Sequence, residues 1–239
     1  GPAAAAAATF PLLAESSRTL LLWPSAFQDL GALLFSALAL HEASRRRLGN
    51  ALGALAAGLL CKEITLVTAL LLPWLPGDAL GTRRERLRAL VGVGAVLALW
   101  GAAYALVMQH AGVVFQRQLE PASSPWLERL GWSLDNSLRD GLGLGTLPPR
   151  SALAAQAATA VLLAVGIVAA LRARGRGSRA EGATTNRMAW MAWGAAGFLC
   201  SGLMLAETFP MWGPYRGTLG LVGLGLALVA VLQAAGPGW

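Results

Sequence analysis

Lysine is almost missing from this sequence: 18 arginines are accompanied by a single lysine, Lys62, among 239 residues. Charge of either sign is scarce too, at 13% of residues against 56% hydrophobic. A soluble domain carries about twice that share of charge, so an ordinary water-exposed fold is excluded. There are two cysteines, Cys61 and Cys200, both inside apolar runs, where thiols act as small hydrophobes and not as a disulfide framework. Histidine is limited to His41 and His110, and no CxxC or HExxH motif occurs, which leaves no ligand set for a structural metal. The 29 glycines fall within apolar runs and follow no repeat, excluding fibrous and low-complexity classes.

What is present is a series of long apolar stretches punctuated by arginine. The formal charge of +7 would suit nucleic acid if spread over one face with interleaved aromatics. Instead it is gathered in Arg45-Arg46-Arg47, in Arg83 to Arg88 and in Arg172 to Arg187. That is how cytoplasmic loops of a multi-pass membrane protein are charged, and nucleic acid is not an expected partner. A bilayer core takes about 20 apolar helical residues to cross. Five full spans are expected on that count, over Ala26–Ala43, Leu87–Gln109, Ala152–Leu171, Met188–Ala206 and Thr218–Ala234. The stretch Leu48–Leu75 is too long for one crossing and too short for two. If the three arginine clusters share one side, it must leave that side and return, as two short helices meeting near Lys62-Glu63. The fold class is therefore all-α: a polytopic helix bundle of about five full spans plus a short hairpin, in one transmembrane domain covering residues 1–239.

With that topology 12 arginines are cytoplasmic, and the other side receives seven acids and six arginines. The outer loop, residues 110–150, contains Trp126-Leu-Glu-Arg-Leu-Gly-Trp-Ser-Leu, apolar at helical spacing and read as an interfacial helix anchored by tryptophan. Gly141-Leu-Gly-Leu-Gly145 has no preceding strand or acidic partner and is no dinucleotide fingerprint. Span glycines Gly92, Gly94, Gly194, Gly197, Gly220, Gly223 and Gly225 read as helix-packing positions. Gly1-Pro2 reads either as a cloning remnant or as the middle of an apolar helix entered partway. The second reading, a fragment of a longer membrane protein, is adopted.

Ionisable residues deep in apolar sequence usually face a cavity, a partner or a substrate. Lys62-Glu63 is the foremost case: the lysine offers a point charge for phosphate, and the glutamate a group to orient it, to hold a sugar hydroxyl or to bind a metal ion. The competing expectation is that the two merely neutralise each other at a helix break. Glu15 and Asp29 flank the outer start of the first span, either as interfacial acids and dipole partners or as site residues. Tyr215-Arg216 precedes the last span, where guanidinium and helix N-terminus both attract anions; the alternative is an interfacial belt.

The strings Gln28-Asp-Leu-Gly-Ala-Leu-Leu-Phe35 and Gly58-Leu-Leu-Cys-Lys-Glu-Ile-Thr-Leu-Val-Thr-Ala-Leu-Leu-Leu-Pro73 resemble the GT-C superfamily of membrane glycosyltransferases. The likeness is strongest to its branch of protein O-mannosyltransferase-like enzymes and their relatives carrying tetratricopeptide repeats. Pro11, Glu15, Trp23 and Asp29 echo the order of that branch's Pro-x3-Glu element, Trp and Asp-Leu-Leu span. Lys62-Glu63 matches its Lys-Glu step, and Tyr215-Arg216 is similar to its late Arg/Tyr step. The resemblance implies a multi-pass protein of a bacterial inner membrane that transfers a sugar from a polyprenyl-phosphate donor to a protein or glycan acceptor on the extracytoplasmic side. It implies lipid-phosphate or sugar binding by Lys62, Glu63, Arg216, Tyr215, Asp29 and Glu15, with no metal ligand assigned though a divalent ion is compatible. The family's catalytic acid would fall upstream of Gly1, so no catalytic residue is assigned. A transporter or flippase for a lipid-linked or anionic substrate, or a non-catalytic membrane scaffold, would use the same central charges.

Overall fold

A computed structural model describes residues 26–77, 80–110, 125–141, 157, 181–207 and 217–235. Seven α-helices and no strand occur among them: α1 (Phe27–Ser44), α2 (Leu48–Cys61), α3 (Leu66–Leu71), α4 (Arg83–His110), α5 (Trp126–Gly141), α6 (Glu181–Glu207) and α7 (Thr218–Ala235). The all-helical expectation is met.

The expectation of five full spans is not. Two helices among the described residues are long and apolar enough to cross a membrane, Arg83–His110 and the Met188–Ala206 part of α6. In α1 the polar pairs Gln28-Asp29 and His41-Glu42 sit inside the two ends of an 18-residue helix, so its uninterrupted apolar stretch is short. The apolar stretch of α7 that qualifies, Thr218–Val231, is likewise shorter. Ala152–Leu171 lies outside the described residues.

A tight turn at Arg45-Arg46-Arg47 joins α1 to α2. Arg46 is left-handed there, with φ 61°, a conformation that costs a side-chain-bearing residue about 1–2 kcal/mol. Asn50 Nδ2 donates to Glu42 Oε2 at 3.0 Å near the turn, while Gly31 faces the Cys61 thiol at the far end; the two helices are thus antiparallel. Leu52 fills the space beside Gly92, and the Trp100 indole donates to the Leu59 carbonyl at 3.1 Å, so α4 runs parallel to α2. Between them the chain must come back. Leu80 accordingly lies in the same cleft as Ala43 and Leu48, and Arg46 approaches Glu85 at 3.9 Å. The first two arginine clusters therefore lie at one end of the bundle, and Lys62 stands at the turning point between α2 and the return.

The return segment is short and irregular: a 3-10 turn over Glu63–Thr65, then α3, then a second 3-10 turn over Leu72–Trp74 containing Pro73. Irregular backbone leaves carbonyls without their helical donors, which is costly away from water. Here two indoles take them up. Trp100 serves Leu59 before the break, and Trp193 of α6 donates to the Leu71 carbonyl at 3.0 Å after α3. Lys62 N–H still reaches the Gly58 carbonyl at 2.9 Å, and Thr65 N–H reaches the Lys62 carbonyl at 3.2 Å.

The main core gathers Ala39, Leu55, Leu59, Val67, Leu72, Leu75, Val93 and Trp193, uniting α1, α2, α3, α4 and α6. Against it, α6 and α7 cross with their backbones nearly touching: a Cβ on Gly194 would overlap the Gly223 carbonyl oxygen, and one on Gly223 would overlap that of Gly194. Gly92, Gly197 and Gly220 also sit against neighbours, whereas Gly94 faces open space and has no packing role. Cys61 and Cys200 are free and half-buried, less enclosed than their apolar surroundings in sequence imply.

The helix α4 begins with a reciprocal cap. Glu85 Oε2 accepts from the Thr82 backbone N–H at 3.0 Å and its hydroxyl at 2.8 Å, while Thr82 Oγ1 accepts from Glu85 N–H at 3.2 Å. The Thr82 backbone and hydroxyl donors hold this carboxyl, which precedes the apolar stretch, below the usual carboxylate range. The outward face of α4 is apolar and bare, with Leu87, Val91, Leu99, Leu106 and Val107 all more than half exposed.

Candidate functional site

At the end of the bundle opposite the first two arginine clusters, a pair is brought together across 33 positions: Lys62 Nζ donates to Asp29 Oδ2 at 2.5 Å. Asp29 lies in the first turn of α1, where a carboxylate also complements the helix dipole. Lys62 ends α2 with an extended backbone, φ −164° and ψ 145°. Successive side chains on extended backbone point to opposite sides, and the two charges next to each other in sequence do part company. The Lys62 side chain retains 17% exposure and that of Asp29 7%, whereas Glu63 is exposed. Self-neutralisation of Lys62 by Glu63 is thus not what this geometry describes; the lysine turns inward to Asp29.

No local pattern in the sequence marks Asp29 as the partner of Lys62. Asp29 reads there as one of two candidate acids at the start of a span, and the lysine's sequence neighbour competes for attention. The available cue was topological: a span beginning at Asp29 and a hairpin apex at Lys62 occupy the same end once α1 and α2 are antiparallel.

Below the pair, Thr65 and Ser36 are fully buried, and their hydroxyls have no hydrogen-bond partner among the described residues. Thr65 rests on Gly58, where a Cβ would meet its methyl group at 2.8 Å. Glycine at that position is what lets the return segment close onto α2. The arrangement is a largely buried cation with a buried carboxylate against it, at the break between α2 and the return segment. Chemically it can hold an anion by charge-assisted hydrogen bonding, or keep a positive charge in place through folding.

Of the remaining candidates, Glu15, Tyr215 and Arg216 lie outside the described residues. The outer segment Trp126–Gly141 is helical and packs on α6: Ser133 Oγ donates to the Gly202 carbonyl at 3.1 Å and Arg129 to that of Ala206 at 3.3 Å. Its buried positions are Ser133, Ser137, Asp140 and Gly141, while Trp126, Leu127 and Trp132 are exposed. Among the described residues no three His, Cys, Asp or Glu side chains are grouped to hold a metal ion. No family model, curated protein or solved structure matches this chain.

Proposed function

We propose that this is a multi-pass membrane protein of the GT-C kind, working with a polyprenyl-phosphate sugar at the extracytoplasmic side. The observation that carries the reading is Lys62: the lone lysine, at a helix break inside apolar sequence, held by Asp29 at 2.5 Å. An intramembrane cation kept in place by a buried carboxylate has the chemistry to meet a lipid-linked phosphate entering from the bilayer. Two apolar helices of spanning length and the gathering of two arginine clusters at the opposite end support the membrane setting.

In mechanism, transfer of the sugar leaves negative charge on the departing lipid phosphate. Lys62 stabilises that charge, with Arg216 from the segment before α7 as its expected second cation; groups that bind more strongly as charge develops accelerate the step. Asp29 positions the lysine and does not touch the reacting atoms. No residue of this chain is assigned as the acid that deprotonates the acceptor.

The test is sugar transfer by the full-length protein from a short-chain polyprenyl-phosphate donor, comparing Lys62→Ala, Lys62→Arg and Asp29→Asn. Loss of turnover in Lys62→Ala at saturating donor, partly restored in Lys62→Arg, is expected. Undiminished turnover in Lys62→Ala would remove the phosphate role. Donor uptake across vesicles without sugar transfer would assign the same charges to a transporter.

A further inference from the structure

The helix α5 carries the inverse of a water-facing pattern. Ser133, Ser137, Asp140 and Gly141 are its buried positions, while Trp126, Leu127 and Trp132 are exposed. Ser133, Ser137 and Gly141 recur at every fourth position along one face. Small residues at that spacing let helices close on one another in lipid, where no hydrophobic force draws them together. We infer that α5 is a re-entrant helix: it starts at the membrane boundary beside the end of α6 and descends into that leaflet, in place of lying in the interface plane. The inference rests on the membrane reading above and not on the transferase reading.

The register of its contacts sets the direction. Arg129 donates to the Ala206 carbonyl at 3.3 Å, and Ser133, one turn later, donates to the Gly202 carbonyl, one turn earlier, at 3.1 Å. The helices α5 and α6 therefore lie side by side and antiparallel. Towards α7 the order reverses: a Cβ on Gly217 would lie 3.4 Å from Ser137 Oγ, and one on Gly141 would overlap Leu221, so α5 and α7 run parallel. A helix lying flat across the bundle end would meet each neighbour at one level, whereas α5 meets each at two levels in step. Depth follows from the contact between α6 and α7. Gly220 faces Ser201, which stands about 7 Å of helix rise before Ala206. Gly141, beside Leu221, is thus at least that far below the level of Arg129.

The spanning part of α6 ends at Ala206, which sets the boundary level, and the chemistry of α5 changes there. Trp126 precedes Arg129 and stands at or outside that level, where indole rings anchor membrane proteins. Arg129 takes up one of the last carbonyls of α6, a role suited to a cation at a helix C-terminus. Exposed residues occur from Pro125 to Trp132, and none occurs from Ser133 to Gly141. The descending half is therefore enclosed by protein, with Asp140 only 4% exposed. Enclosure is the condition under which a carboxylate is tolerated at membrane depth.

The experiment uses the full chain with Cys61→Ser and Cys200→Ser, in vesicles of dioleoylphosphatidylcholine and dioleoylphosphatidylglycerol. Leu127→Cys and Asn136→Cys on α5 each carry an environment-sensitive fluorophore, and Leu203→Cys and Leu199→Cys on α6 serve as depth markers. Quenching by lipids bearing a nitroxide at the headgroup or along the acyl chain reads the depth of each probe. A separate Ser137→Cys, Gly217→Cys protein checks docking, because Ser137 Cβ lies 3.8 Å from the Cβ position at 217, a separation that a disulfide bridges. The pair is expected to close on oxidation in vesicles, and the probe at 136 is expected about 5 Å or more deeper than that at 127, from the rise along α5 and its tilt against α6. Equal depth at 127 and 136 would make α5 an in-plane helix and would overturn re-entry. Failure of the pair to close would show α5 undocked from α7 in the membrane and would overturn it too. Absence of acyl-chain quenching at 199 and 203 would overturn the membrane reading itself, a result separable from the other two because those markers sit on α6.

Discussion

Lys62 and Asp29 form a partly enclosed ion pair that fastens the break after α2 to the first turn of α1. Breaking such a pair costs more than it contributes when intact, because the remaining charge is left stranded in a low-dielectric surrounding. Asp29→Ala and Lys62→Ala are each expected to destabilise the bundle by about 3 kcal/mol. Asp29→Leu with Lys62→Met is expected to cost much less than the sum. Denaturant titration of detergent-solubilised protein, run as a double-mutant cycle, measures this. Strictly additive losses would show that the two side chains are not coupled.

That pair also shows how far the sequence could be read. The helix break at Lys62-Glu63 was legible because two charges interrupt an otherwise apolar run, and burying them inside a continuous helix is costly. The shared side of Arg45–Arg47 and Arg83–Arg88 was legible from charge bias alone. The identity of the lysine's partner was not, because sequence adjacency favours Glu63 whereas extended backbone sends the two side chains apart. The number of long apolar helices was overcounted for a related reason. A tally of apolar residues registers Leu30 to Leu40 but gives little weight to Gln28-Asp29 and His41-Glu42, which set the ends of usable apolar length in α1. Trp100 and Trp193 fall within apolar runs; that their indoles serve particular carbonyls depends on long-range packing that no local pattern encodes.

The contact between α6 and α7 depends on having no side chain at two facing positions. Gly194→Ala and Gly223→Ala are each expected to cost about 1–3 kcal/mol through overpacking, because a methyl group at either overlaps backbone oxygen of the other helix. Gly94→Ala is the matched control: its site is open, and replacing a helical glycine by alanine contributes about 0.5–1 kcal/mol of stability. Thermal unfolding in detergent distinguishes the three. A neutral Gly194→Ala would mean the helices separate more readily than their close approach indicates.

The two indole hydrogen bonds make a complementary expectation. Trp193→Phe keeps most of the ring packing but leaves the Leu71 carbonyl without its indole donor, at a cost of about 1–3 kcal/mol for a buried orphan. The return segment should loosen first, so hydrogen exchange is expected to rise over 66–75 before it rises in α4. Uniform exchange across both would show that the indole contributes packing alone.

The return geometry has a direct topological consequence. Ser44 and Thr82 are both exposed and lie at the end of the bundle that holds Arg46 and Glu85. In a background of Cys61→Ser and Cys200→Ser, single cysteines at positions 44 and 82 are expected to react with a membrane-impermeant maleimide from the same side of a sealed vesicle. Glu63→Cys, at the exposed apex, should be shielded from that side, because the apex stands a full α2 length of 14 residues away, about 21 Å of helix rise. Labelling of 44 and 82 from opposite sides would make the segment a crossing and would separate the two arginine clusters. Labelling of all three from one side would place the apex outside the apolar layer, and with it the reason to treat Lys62 as an intramembrane cation.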